Sequence, residues 1–162
     1  MLVGVLPAAA FVLRAQQASS SSLVLRVEEK ASVTPGAASL QFVIPADNSQ
    51  PAPKTLAISA WVRARRGQHI VVVAKPAGNL IGSAGEIPVS AVQFAGTTVQ
   101  ALYGAEVASC TRGALGATSV ELVAGWLTSG ILTCQVTFSL AGREGLKPGV
   151  YSTQLTFSVT AQ

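Results

Sequence analysis

The chain has 162 residues, and this length allows one domain that can bury a core without metals or several disulfides. Only 11% of the residues are charged while 49% are hydrophobic, and surfaces rich in Ser, Thr, Gln and Gly are more typical of secreted sheet proteins than of cytosolic enzymes. The formal net charge of +4 is too small and too dispersed for the dense basic stripe of a nucleic-acid-binding protein.

The first eighteen residues are interpreted as an export signal. An apolar run over residues 2–13 is too short to span a bilayer, and Arg14 and a Gln- and Ser-rich stretch follow it. The alternative is a retained N-terminal helix, because the three alanines at 8–10 favour helix formation. Export predicts contact with the export machinery, a secreted, extracellular or cell-surface location, and a single mature domain over residues 19–162.

Residues 19–30 are predicted to hold a short strand on a flexible tether. Leu23, Leu25 and Val27 alternate with a second set of residues that includes Arg26 and Glu28, and a run of serines precedes them. Such a segment can fill an apolar groove of its own domain, or that of the next subunit, with similar contacts. It is therefore a candidate donor strand for self-association into a homopolymer, and a self-complemented monomer is the alternative.

Three further strands are predicted in the first half of the domain. Apolar residues alternate at 40–44, after a turn at 34–36, and again over 55–66. The run over 68–75 is rich in β-branched residues and is predicted to be buried on both faces. The strands over 55–66 and 68–75 are expected to form the middle of a sheet.

The second half of the domain is predicted to contain strands at 87–94, 97–103 and 120–124, with an irregular stretch at 104–116. The strongest alternation lies between Gly130 and Thr160, where two strands carry apolar residues at every second position. Turn residues at 147–149 separate them. The second of these strands is expected to lie against a sheet that the rest of the chain builds.

Cys110 and Cys134 are the two cysteines of the chain. In an exported protein an even pair is most simply one disulfide, and Cys134 lies on the apolar side of its predicted strand, where a partner can be buried. A redox or Cys/His metal site has little support, because there is no CxxC spacing and His69 is the single histidine. We therefore expect a Cys110–Cys134 disulfide and no bound metal.

Eight to ten short strands with closely spaced turn signals predict an all-β fold, which is an antiparallel sandwich or a barrel. The late disulfide favours the sandwich. A search for catalytic patterns finds none, because Asp47 is the single aspartate, the glutamates are scattered and His69 has no nucleophile or base partner in sequence. We therefore expect no enzymatic activity, no catalytic residue and no cofactor.

Several stretches of the chain together carry a resemblance to a known group of proteins. These are the apolar leader, the long strand that contains Trp61, the segment Ile87-Pro88-Val89-Ser90, and the closing segment Leu146-Lys147-Pro148-Gly149-Val150-Tyr151-Ser152-Thr153-Gln154-Leu155-Thr156-Phe157. In this arrangement the chain looks like bacterial secreted immunoglobulin-like β-sandwiches, which include fimbrial subunits and spore-coat-U-like proteins. The resemblance implies a structural subunit of a pilus, another filament or a surface coat, often completed by a strand from a neighbour.

One surface suggests a different function. Trp61, Arg63 and Arg65 are predicted to point to the same side of one strand, so an aromatic face and guanidinium groups could bind a glycan or a polyanion. The protein would then be a monomeric secreted binding module. The opposing interpretation is that Trp61 packs under a loop or against the second sheet, while the arginine stems cover apolar surface.

Overall fold

Two antiparallel sheets pack face to face in the computed structural model, which describes residues 29–47, 49–65, 67–142 and 146–162. A short 3-10 helix, Val89–Ala91, lies between two of the strands. The strands in chain order are β1 (Lys30–Thr34), β2 (Ala37–Ile44), β3 (Lys54–Arg63), β4 (Ile70–Pro76), β5 (Leu80–Gly82), β6 (Gly85–Ile87), β7 (Val92–Leu102), β8 (Ser109–Cys110), β9 (Arg112–Ala114), β10 (Val120–Glu121), β11 (Val123–Ala124), β12 (Gly130–Leu140) and β13 (Gly149–Ala161).

The strands are distributed over two large sheets and one small one. Sheet 1 has the order β1-β3-β12-β7-β9, and sheet 2 has the order β10-β4-β13-β5-β6. In sheet 2, β2 pairs with the edge of β13 opposite to that used by β4 and β5, because Leu155 lies opposite both Ala38 and Pro76. Strands β8 and β11 form a separate two-stranded ribbon. The strongest predicted strands, β12 and β13, therefore lie in different sheets.

The core lies between the two sheets and is built from the apolar side of each alternating strand. Strand β12 contributes Leu132, Val136 and Phe138, and β13 contributes Leu155 and Phe157, all of them buried. Their outward neighbours are mostly Ser, Thr and Gln. Each fully buried side chain of this size stabilises the fold by roughly 1.5–3 kcal/mol. The predicted all-β sandwich is confirmed.

The middle strands differ from their prediction in two respects. Strands β3 and β4 each lie inside a sheet, but they lie in different sheets, so the expectation that they form the middle of one sheet is wrong. Strand β4 is also not buried on both faces, because Val71 and Val73 are only half-buried and Lys75 is exposed. The β-branched run reflects a strand with one buried face and one partly covered face.

Strand β7 runs without a break through Gly96, where the sequence predicted two separate strands. Gly96 is needed for a close approach, since a Cβ atom there would lie 2.8 Å from the Cβ atom of Cys110. A register shift between Thr133 and Cys134 leaves Val99 of β7 without an opposite residue. Residues 104–116, expected to be irregular, contain β8 and β9, and the single strand expected at 120–124 is divided into β10 and β11, which belong to different sheets. The described residues form 13 strands, more than the expected eight to ten.

The chain changes sheets at Thr34-Pro35-Gly36, the predicted turn, whose Thr34–Pro35 peptide bond is cis. Strand β1 pairs with β3 in sheet 1, and β2 pairs with β13 in sheet 2. The amide of Phe157 donates to the carbonyl of Gly36 at 2.8 Å and holds the crossing against sheet 2. The interpretations of residues 1–18 as an export signal and of Leu23, Leu25 and Val27 as a donor strand fall outside the described residues and stay predictions.

The predicted disulfide between Cys110 and Cys134 is confirmed, with a Cα–Cα distance of 5.9 Å. Cys134 is buried on the inward face of β12, and Cys110 belongs to the β8/β11 ribbon. The bond therefore ties this ribbon to the centre of sheet 1. The enclosed segment corresponds to a sequence separation of 24 residues.

Closing a loop of this length is expected to stabilise the fold by roughly 3–4 kcal/mol in the chain-entropy model. Replacement of both Cys110 and Cys134 by Ala should lower the free energy of unfolding by about that amount in urea titrations. The control is the wild-type chain unfolded in reducing agent, which opens the bond and keeps both side chains. Thiol labelling of the non-reduced, denatured protein should find no free thiol, and two thiols per chain would contradict the assignment.

Candidate functional site

The predicted binding residues do not all lie on one strand face. Trp61 is half-buried and Arg63 is exposed, and both lie on β3, with Trp61 on the outward face of sheet 1. Strand β3 ends at Arg63, so Arg65 is not part of it. The Arg65 guanidinium forms an ion pair of 2.8 Å with Glu29, and its amide donates to the side chain of Gln68 at 2.7 Å. Arg65 is therefore engaged in the turn after β3.

Trp61 and Arg63 line a shallow depression of about 380 Å³ at one end of sheet 1. Ile131 of β12 lies opposite Trp61 and forms part of the lining, and Tyr103 lines it from the turn after β7. Leu102, the last residue of β7, lies two strand spacings from Trp61, about 10 Å across the sheet, and Tyr103 follows it in the turn. Two aromatic side chains and a guanidinium group therefore line one depression, whose surface is part apolar and part polar.

Hydrogen bonds and close contacts hold this depression in place. The Ser129 hydroxyl accepts from the amide of Ala64 and donates to its carbonyl, each at 3.0 Å, which fixes the end of β3 to the start of β12. Gly130 allows the turn after β7 to pack closely, because a Cβ atom there would lie 2.7 Å from the carbonyl oxygen of Leu102. The backbone around the aromatic side chains is therefore tightly packed.

Tyr103 has a backbone conformation that L-residues rarely adopt. Its φ is 58°, that of Gly104 is 105°, and the amide of Ala105 donates to the carbonyl of Leu102 at 3.4 Å. Positive φ at both central residues is the signature of a turn that favours Asn-Gly or Gly-Gly. A tyrosine that is 76% exposed at this position is poorly suited to the turn, so the turn alone does not account for the residue.

Sequence reasoning missed Tyr103 as a candidate site residue. The signal that could have found it is the Tyr103-Gly104 pair at the end of a strand, where turn chemistry favours Asn before Gly. A large aromatic residue in that place is informative because it violates the local preference. Strand alternation alone places Tyr103 at the end of a strand and does not distinguish it from other residues there.

The outward face of sheet 1 continues from the depression as a flat polar surface. Hydroxyl groups pair across β3 and β12, with distances of 3.0 Å both for Ser59–Thr133 and for Thr55–Thr137. By the strand register, three successive outward rows carry Ser32, Trp61, Ile131 and Leu102, then Thr34, Ser59, Thr133 and Gln100, then Ala57, Gln135 and Thr97. These rows contain no charged residue.

One side of the sandwich has unpaired strand edges in both sheets. Strand β1 covers β3 only from Ser59 to Arg63, so the edge over 54–58 has no partner among the described residues. Strand β2 likewise pairs with β13 alone. Between the two edges lies a depression of about 220 Å³ lined by Leu40 and Leu56, among others. We refer to the β2 edge, the β3 edge over 54–58 and this depression as the open side.

The described residues contain no group of three or more His, Cys, Asp or Glu side chains that could hold a metal ion. His69 pairs through its backbone with Gln162, with both hydrogen bonds at 2.8 Å, and Asp47 accepts from the amide of Ser49 at 2.9 Å. Neither cysteine is free. Within the same residues, no helix is long and apolar enough to cross a membrane.

Comparisons of the chain with models of protein families, with curated proteins and with solved structures find no match. The resemblance to fimbrial subunits and spore-coat-U-like proteins therefore stays a prediction. The two candidate surfaces that the fold offers are the aromatic depression with its polar rows and the open side.

The two tryptophans should differ sharply in their effect on stability. Trp126 is fully buried, so Trp126→Ala should lower the free energy of unfolding by about 3–5 kcal/mol. Trp61 is half-buried on an outward face, so Trp61→Ala should cost less than about 1.5 kcal/mol. Urea denaturation of both variants measures the difference, and equal losses would show that Trp61 is a core residue.

Replacing Tyr103 by a residue suited to its backbone should stabilise the protein. Tyr103→Asn removes an exposed ring and relieves a left-handed conformation that costs an L-residue about 1 kcal/mol or more. We expect a gain in the free energy of unfolding of about 0.5–1 kcal/mol in urea titrations. Tyr103→Phe keeps the backbone penalty and serves as the control, and a clear loss of stability in the Asn variant would contradict the interpretation of the turn.

Proposed function

We propose that the protein is a structural subunit of an extracellular filament, pilus or surface coat, whose subunits join by β-strand addition at the open side. The observation that carries the proposal is the pair of unpaired edges on one side of the sandwich, over 54–58 in β3 and along β2. Unpaired edges are templates for pairing with another chain.

Strand β2 of the open side lacks the features by which monomeric sheet proteins block edge pairing, whereas the β3 edge begins with one charged residue, Lys54. Strand β2 is eight residues long and has no charged residue, no proline and no register shift against β13. Val43 on its outward face is 52% exposed. Natural proteins usually protect such an edge with Lys, Pro or a bulge. An uncharged and regular edge of this length favours association.

Two apolar side chains at the open side, Leu40 and Leu56, match the apolar residues of the predicted donor strand. Leu56 points toward the core but remains half-buried, because none of the described strands pairs with this part of β3 on the edge away from β12. A donor pairing with residues 54–58 could place Leu23, Leu25 and Val27 over this gap. Each side chain contributes roughly 1.5–3 kcal/mol if it becomes fully covered. The inserted strand would continue the line of β1 in sheet 1.

Chain length favours a donor from a neighbouring subunit. Three peptide units join Val27 to Lys30, and they span at most about 11 Å. In β1, Lys30 lies opposite Arg63, whereas the unpaired edge of β3 begins at Ile58, about 17 Å further along the strand. An extended segment ending at Val27 therefore falls short of the open edge of its own subunit, which argues against the self-complemented monomer.

Two adjacent substitutions in β3 test the acceptor edge. Leu56 points inward and is half-buried, so Leu56→Lys would require burying an unpaired charge beneath the donor. Ala57 is exposed on the outward face, so Ala57→Lys places the same charge away from the donor. We expect the Leu56→Lys chain to remain a folded monomer in sedimentation velocity and electron microscopy, while the Ala57→Lys chain forms filaments.

Removal of residues 1–28 tests the donor and leaves β1 complete. The shortened chain should not polymerise, and a peptide covering residues 19–28 should bind it and raise its melting temperature. A peptide in which Leu23, Leu25 and Val27 are replaced by Ser is the matched control. Filaments of unchanged form from the shortened chain, or a stable monomer of the intact chain at high concentration, would refute strand donation.

A further inference from the structure

We infer that the outward face of sheet 1 is a binding site for a neutral polysaccharide, with Trp61 and Tyr103 as the stacking residues. The site is separate from the open side, because it uses the outward side chains of the sheet rather than an unpaired strand edge. It does not depend on the assembly proposed above.

The aromatic depression has the chemistry that sugar rings require. The C–H groups on one side of a pyranose ring carry partial positive charge, and the faces of aromatic rings carry negative charge, so the two stack. Trp61 presents part of its ring on the outward face, and Tyr103 is largely exposed. Trp61 lines the depression from β3 and Tyr103 lines it from the turn after β7, so the two rings can contact one sugar chain at two points.

Tyr103 is the residue that points most directly to a ligand. Its left-handed backbone is unfavourable for an aromatic residue, and strain of this kind is concentrated at functional sites. Gly104 beside it is closely packed, since a Cβ atom there would lie 2.7 Å from the carbonyl oxygen of Ser129. The turn therefore holds an exposed tyrosine in a fixed place without burying it.

The polar rows next to the depression complement an uncharged polyhydroxyl chain. Thr34, Ser59, Thr133 and Gln100 extend in one row across four strands, and each can donate and accept hydrogen bonds. The three rows carry no charge and so favour a neutral polymer, whereas the row beyond Trp61 carries two cations, Lys30 opposite Arg63. Because the surface is flat, it fits an extended polysaccharide better than a small buried ligand.

Depletion assays with the full chain test this site. The insoluble probes are microcrystalline cellulose and chitin, the soluble neutral probe is laminarin in affinity gels, and polygalacturonate is the acidic probe. A sample without polysaccharide corrects for protein that sediments alone. We expect retention on at least one neutral probe, accompanied by a shift of tryptophan emission that Trp61→Ala abolishes.

Matched variants identify the residues responsible. Trp61→Ala and Tyr103→Asn should each weaken retention about tenfold, since aromatic contacts of this kind contribute on the order of one factor of ten. Tyr103→Phe keeps the ring and should bind as the wild type does. Ile81→Ala removes an exposed apolar residue from sheet 2 and should have no effect.

Three results would overturn the inference. The first is the absence of retention on every neutral probe. The second is retention that Trp61→Ala and Tyr103→Asn leave unchanged. The third is binding to polygalacturonate alone that Arg63→Gln abolishes and Tyr103→Asn does not, which would indicate a charge site. A chain that binds sugar normally but cannot form filaments would refute the proposed assembly and leave this inference intact.

Discussion

The fold depends on the meeting of two alternating strands, β12 of sheet 1 and β13 of sheet 2. Each is paired on both edges, and each turns its apolar side chains toward the other sheet. Phe138 and Leu155 are completely buried between the sheets. Apolar burial on this scale provides the main driving force for folding. The other strands extend these two central strands sideways and cover the same core.

This arrangement explains why the edges of the sandwich differ. The disulfide from Cys134 fastens the β8/β11 ribbon near β7, and Cys110 occupies the space that Gly96 leaves free. On the opposite side, a single segment serves both sheets, because the chain changes sheets at Pro35. Strand β1 is too short to cover all of β3, so the β3 edge over 54–58 has no pairing partner within the described part of the chain. The open side thus arises because residues 30–44 are divided between β1 in sheet 1 and β2 in sheet 2.

Sequence patterns correctly predicted the strands whose formation depends on residues close together in the chain. Alternation with period two located β3, β12 and β13, and the inward side of β12 identified Cys134 as a disulfide partner. Pairing partners depend on contacts far apart in the chain, which alternation does not encode, so the assignment of β3 and β4 to one sheet was wrong. Strands β8 and β9 have too few residues to show a period, and the pattern over 120–124 does not reveal that β10 and β11 belong to different sheets. Tyr103 was missed because the feature that distinguishes it, a φ of 58°, is a property of the folded backbone.

The two candidate surfaces occupy different parts of the sandwich, and their geometry has a consequence for binding strength. Strand addition at residues 54–58 would extend sheet 1 at its edge and leave Trp61 and Tyr103 on the outward face. A filament built in this way would repeat that face once per subunit. A shallow surface with few hydrogen bonds binds a single sugar segment weakly, but linked copies bind one polymer with an avidity far above that of each site. Assembly would therefore compensate for the shallowness of each site, and a face with uncharged central rows would suffice for attachment to an extended polysaccharide.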